Sequence, residues 1–131
     1  MRPTYGSRPP LTRCRAREAR RDALADLEPV RSSEASKRRP VVIVSNDGAN
    51  ERATILGRGV VTVVPVTSNV THVLPFQTLL QTGATGLARS SKAQAEQVRS
   101  IDVRRLGPRI GQLPPAVIVE LDKALRLHLS L

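Results

Sequence analysis

The stretch SSEASKRRPVVIVSND, residues 32–47, joins two compositions that rarely share a boundary. Lys37, Arg38 and Arg39 form a block of cations, and after Pro40 come Val41, Val42, Ile43 and Val44. A charge block belongs in water, whereas an unbroken β-branched run belongs inside a sheet. The run therefore predicts a short buried strand over residues 41–46, closing in the turn-prone NDGAN. It also sets an arginine at that strand's mouth, and a cation in such a place needs a reason.

Working outward, GVVTVVPVTSN (59–69) is a second strand rich in Val and Thr. Pro65 lacks a ladder N–H, which restricts that strand to a sheet edge or a bulge. PFQTLLQ (75–81) is a third strand, bounded by Gly83 and Gly86. SKAQAEQVRSIDV (91–103) is ambiguous, since its Ala, Lys, Gln and Glu favour a helix by propensity. Near the C-terminus Pro114 and Pro115 suit a first turn, and Val117, Ile118, Leu121, Ala124, Leu125 and His128 recur at helical spacing, giving the one clear helix. LGRG (56–59) has the look of a phosphate loop but lacks the Gly-Lys-Ser/Thr ending, so it reads as a turn. Residues 1–21 are dense in Arg, Pro and Gly without apolar periodicity, and read as a disordered basic tail ahead of a domain spanning 22–131. An arm that grips nucleic acid, or a start codon set too far upstream, are the alternatives for that tail.

Composition bounds the function. A chain of 131 residues, 40% of them hydrophobic, supports a single core. Lys and Arg number 21 against 11 Asp and Glu, a net charge of +10, and such a surface favours a polyanion: nucleic acid ahead of acidic protein or membrane. Tyr5 and Phe76 are the only aromatic residues, which excludes a base-stacking platform and leaves hydrogen bonds and charge to hold any RNA. Cys14 stands alone, so neither an intrachain disulfide nor a cysteine zinc site is expected. With no long apolar run and no secretory signal, a cytoplasmic protein without a membrane span is expected. Only His72 and His128 are present, and His128 lies on the C-terminal helix as a structural residue, so a ribonuclease built on a histidine pair is excluded. No D-x-D, H-x-x-E or C-x-x-C pattern points to a catalytic metal, and no cofactor is expected.

In order along the chain stand D-L-x-P (26–29), S-E (33–34), R-P-V-V-I-V-S-N-D (39–47), V-V-P-V-T-S (63–68), P-F (75–76), E-Q-V-R-S-I (96–101) and the closing amphipathic helix. Together they resemble the MazF/PemK family of toxin endoribonucleases, over residues 22–131. The resemblance implies a mainly β (α+β) fold, a small SH3-like antiparallel barrel with a C-terminal α-helix, assembled as a homodimer. It also implies a strand over roughly residues 93–101, with tertiary context overriding helix propensity. Two departures bear on packing. Arg21 stands where the family's first strand has glycine, and Asp22 precedes Asp26 by four positions where the family has five. A one-residue change turns a strand's side chains to the other face, so altered packing of the first strand is expected. Ser32 replaces the glycine of the family's G-S-E, in a loop where glycine is freest to take a positive φ.

The same resemblance implies the site. Charge pattern alone makes Arg39 an ordinary solvated cation; the motif makes it catalytic, a planar guanidinium able to grip two phosphate oxygens as charge grows on them. Pro40 fixes the backbone next to it. Thr67 is the second catalytic position, its hydroxyl a donor to phosphate, although a lone strand threonine is more often only a β-former. Glu34 either orients Arg39 or relays a proton, or else forms a weak surface ion pair. Lys37, Arg38, Ser68, His72, Gln97 and Arg99 are expected to face RNA. The activity implied is metal-independent cleavage of single-stranded mRNA at a short sequence. The products would be a 2′,3′-cyclic phosphate and a 5′-OH, and a cognate MazE-like antitoxin would be the partner. A gyrase-binding toxin of the same barrel, or a plain RNA-binding barrel, are the rival readings; the R-P and T-S motifs favour the nuclease.

Overall fold

A computed structural model describes residues 23–27 and 39–131. Its elements run β1 (Ala23–Leu27), β2 (Arg39–Ile43), α1 (Asp47–Leu56), β3 (Val60–Thr67), β4 (Gln77–Leu80), α2 (Thr82–Thr85), β5 (Ser91–Gln94), β6 (Arg99–Asp102), β7 (Leu106–Gln112) and α3 (Pro115–Leu129). The seven strands make one antiparallel sheet in the order β4-β5-β3-β2-β1-β7, with β6 also paired to β3. The described pairings form an open path, ending at β4 and β7, and do not close into a barrel.

The valine run is explained by the sheet's two covered faces. Val41 and Ile43 point into one core with Ala23, Ala25, Ala53, Val61, Val63, Ile101, Val103 and Leu106. Val42 points into a second core with Leu24, Val64, Val66, Leu80, Leu87, Ala93, Leu113 and Leu121. A strand buried on both faces reads as a continuous apolar run rather than as an alternation. The second core is roofed by α3, whose Leu121 and Ala124 are buried while Val117, Ile118 and Leu125 pack against its edge.

Several sequence expectations change. The NDGAN segment does not end in a turn but opens α1: Asn46 caps it, accepting from the Ala49 N–H at 2.8 Å, and Asp47 occupies the first turn. The LGRG segment does turn, with Gly57 as the left-handed C-cap at φ 65°. Pro65 lies in an interior strand. The β6 pairing ends at Val63 and the β5 pairing begins at Val66, so Pro65 stands in the interval between two partners, where a missing N–H costs least. The strand expected over 93–101 is broken into β5 and β6 by a 3-10 turn at Ala95–Gln97.

The first strand packs despite its altered spacing. Ala23, Leu24 and Ala25 are fully buried, and the register with β7 shifts twice, between Leu24 and Ala25 and between Ala25 and Leu27. Each shift sets an extra residue on the β7 side, as in a bulge. Strand β7 itself, LGPRIGQ, was hidden from sequence reading by its Gly and Pro, residues that suit the end of a sheet path. Arg21, Asp22 and Ser32 lie outside the described residues.

Candidate active site

Strands β2 and β3 bring Arg39 and Thr67 together. Their register pairs Val41 with Pro65 and Val42 with Val64. Carried one two-residue step further, it sets Arg39, the first residue of β2, opposite Thr67, the last of β3. Residues directly opposite share a face of the sheet. Both line a groove of about 540 Å³, together with Asp26, Pro40, Val66, Ser68, Arg89 and Ser91.

Each member is placed by its strand. Arg39 is exposed, but its backbone is paired to Leu27 of β1, and Pro40 beside it pairs with Asp26. The root of the guanidinium is therefore anchored while its head is free to reach an anion. The Thr67 hydroxyl accepts the Asn69 N–H at 3.2 Å. That bond occupies a lone pair and leaves the hydroxyl proton to be donated elsewhere. Asp26 adds a carboxylate to the same groove.

The other expected residues distribute unevenly. Ser68 is in the groove. His72 lies beyond it, exposed on the loop joining β3 to β4, and its backbone carbonyl accepts from Lys92. Gln97, exposed in the 3-10 turn, and Arg99, exposed on β6 opposite Val63, are not among the groove's lining residues. Within E-Q-V-R-S it is Glu96 that makes the described contact, accepting from Gln77 Nε2 at 2.9 Å. Glu34, Lys37 and Arg38 lie outside the described residues. His128 lies on α3, its ring centroid 6.4 Å from that of Phe76.

Sequence reasoning missed Arg89, an exposed cation in the groove's wall. It follows Gly86, whose φ of 87° turns the chain after α2, and the only prior signal was a charge in a loop. Lys92 was also missed: it stands opposite Thr67 on β5 and is 9% exposed. Among the described residues no group of three or more His, Cys, Asp or Glu side chains is placed to hold a metal ion. None of the described helices is long and apolar enough to cross a membrane.

Two arginines, Arg39 and Arg89, and the hydroxyl residues Thr67, Ser68 and Ser91 line one groove of a small antiparallel β protein, a set of donors chemically suited to phosphate oxygens. Residues 23–129 match the family described as PemK-like, MazF-like toxin of type II toxin–antitoxin system, and the chain belongs to that family. It is 58% identical over 106 residues to endoribonuclease MazF9 of Mycobacterium tuberculosis H37Rv, covering 81% of this chain and 90% of that protein. Endoribonuclease MazF of Staphylococcus epidermidis is 32% identical over 109 residues, covering 82% and 87%. Among solved structures, a mycobacterial endoribonuclease in complex with its cognate antitoxin superposes with a TM-score of 0.66 at 20% identity, covering 86% of this chain and 93% of that one.

Proposed function

We propose that this toxin is an endoribonuclease that cuts single-stranded mRNA at a short specific sequence, by attack of a ribose 2′-OH on the adjacent phosphorus. The observation that carries this reading is the meeting of Arg39 and Thr67 on neighbouring strands at one groove. The new bond joins the 2′-oxygen to phosphorus, the bond to the 5′-oxygen breaks, and the products are a 2′,3′-cyclic phosphate and a 5′-OH. Arg39 holds the non-bridging oxygens as their charge grows, and the Thr67 hydroxyl donates to one of them. Arginine is too strongly protonated to act as a base in water, so Arg39 serves as charge stabiliser and as a source of the leaving oxygen's proton. The 2′-OH proton goes to Glu34 or to water. Arg39 and Thr67 supply charge neutralisation and positioning, so the reaction proceeds without a metal ion.

The toxin works as a homodimer in the cytoplasm, where its substrate is. The antitoxin complex of the structural relative supports a partner of the same kind here: a small antitoxin whose acidic segment folds into the basic groove and displaces RNA. The test is to incubate the purified protein with a long RNA in EDTA and to map 5′-OH ends, comparing wild type with Arg39→Ala. Site-specific ends that vanish in the variant support the reading. Ends that persist in the variant overturn the role of Arg39, dependence on added metal overturns metal independence, and inhibition of DNA supercoiling without RNA cleavage overturns the activity itself.

A further inference from the structure

The loop of residues 68–76 leaves the groove at Ser68 and exposes its side chains, with His72 in solvent, Val73 44% exposed and Leu74 45% exposed. Such a loop has little to bury and is expected to wander. Here its backbone is held at successive points. The Asn69 N–H donates to Thr67 Oγ1 and the Thr71 N–H to Asn69 Oδ1, each at 3.2 Å. Lys92 Nζ donates to the His72 carbonyl at 2.5 Å. The Leu74 N–H donates at 3.0 Å to Gln77 Oε1, and the amide of Gln77 is oriented in turn by donating from Nε2 to Glu96 Oε2.

Lys92 is the unexpected member. Taking an ammonium out of water is unfavourable unless a partner compensates, and the partner the structure gives it is a neutral loop carbonyl. An aliphatic residue would suit a strand position flanked by Thr67 and Leu79 better on packing grounds. What the lysine adds is a tie between the loop and the strand neighbour of Thr67.

We propose that Lys92 is a positioning residue for sequence selection: by pinning the His72 carbonyl it holds the 68–76 loop, with its exposed His72, Val73 and Leu74, in one arrangement against the RNA base beside the scissile phosphate. The Gln77–Glu96 pair holds the loop's far end in the same way. This inference rests on the endoribonuclease reading. A pinned loop discriminates between bases because a wrong base leaves fixed polar groups unpaired, whereas a loose loop adapts to it.

The experiment first maps the wild-type cleavage site, then measures kcat/KM on an oligoribonucleotide carrying that site and on versions with one neighbouring base changed. The ratio between two substrates is independent of the fraction of enzyme that is active, so simple destabilisation leaves it unmoved. Lys92→Met is expected to lower the ratio about tenfold, chiefly by sparing the wrong substrate, and Lys92→Arg, which keeps a cationic donor, to restore most of it. A ratio within twofold of wild type in Lys92→Met overturns the proposal. If that variant does not fold, Lys92→Leu, which also removes the donor to the His72 carbonyl and gives the strand position an aliphatic side chain, takes its place, and an unchanged ratio there overturns the proposal equally. A wild type that cleaves no RNA defeats the endoribonuclease reading itself, an outcome distinct from cleavage with an unmoved ratio.

Discussion

Replacing Arg39 by alanine tests the groove most directly, because the structure separates that residue's chemistry from its packing. Its side chain is exposed at the start of β2, outside both cores, so truncation is expected to change stability by no more than about 0.5 kcal/mol. Its backbone is held by the pairing with Leu27 and by Pro40, so the guanidinium reaches from a fixed root, and under the proposed function it is the donor to the phosphate oxygens. Loss of one preorganised donor at a developing oxyanion costs about 2.7–4 kcal/mol, or roughly 10²–10³ in rate. Arg39→Lys keeps the charge but loses the planar fork, and should fall in between, at roughly 10–50-fold. The assay is single-turnover cleavage of a short oligoribonucleotide containing the mapped site, with enzyme in excess, alongside thermal melts of each variant. An Arg39→Ala rate within threefold of wild type, at an unchanged melting temperature, would refute the assignment. A lysine variant no better than alanine would assign the whole effect to the planar fork rather than to charge.

Three further outcomes follow from the same geometry. Thr67→Val removes a hydroxyl able to donate to a charged oxygen, so its single-turnover rate should drop by about 10–100-fold while Thr67→Ser keeps most activity; equal rates for the two would dismiss the hydroxyl. A Cβ at Gly111 would lie 2.3 Å from the Thr85 carbonyl oxygen, whereas one at Gly83 meets nothing within 4 Å. Gly111→Ala should therefore lower stability in denaturant melts by about 1–3 kcal/mol and Gly83→Ala should not, and identical midpoints would contradict the close contact of α2 with β7. Asp102 accepts from the Arg104 side chain and backbone N–H, which hold its pKa at about 2, below the ordinary 3.8. A carboxylate depressed on folding stabilises above its unfolded pKa and loses that contribution as pH falls through the folded one. Asp102→Asn should then melt slightly below wild type at pH 6, with the gap closing between about pH 4 and 2; a gap independent of pH would refute the link.

How much of this was legible in the sequence depends on which physical signal each residue carries. Val41, Val42 and Ile43 could be read as a buried strand because β-branched side chains on both faces fit only a covered sheet, although the strand ends at Ile43 and not at residue 46. The helix α1 was not legible: only Asn50 and Ala53 are buried along it, so no apolar stripe announces it, and Asn46 and Gly48 resemble turn residues. What makes it a helix is the Asn46 cap together with a polar anchor, the Asn50 side chain donating to the Ser45 carbonyl at 2.9 Å. That anchor requires β2 and β3 to be in place already, since Ser45 Oγ also accepts the Thr62 N–H. Tertiary context of this kind leaves no periodic trace. Strand β7 failed for the complementary reason, with Gly111 serving close backbone approach: a Cβ there would collide with a carbonyl oxygen.

The site divides along the same line. Arg39 and Thr67 could be chosen from motifs because each sits at the end of a strand that is itself legible, and antiparallel register then brings two strand ends together whatever lies between them. Arg89 and Lys92 could not, because a loop cation and a strand lysine look alike in a chain with 21 basic residues. Only the folded neighbourhood distinguishes them: Arg89 by lining the groove, Lys92 by being buried against a loop carbonyl. The arginine at the mouth of the valine strand is thus one member of a row that crosses β2, β3 and β5 through Arg39, Thr67 and Lys92. The first two face the groove and the third ties down the loop beside it. Rate and base preference should therefore respond to different substitutions in a single row of the sheet, with Arg39→Ala lowering cleavage of every RNA alike and Lys92→Met changing which RNA is cut.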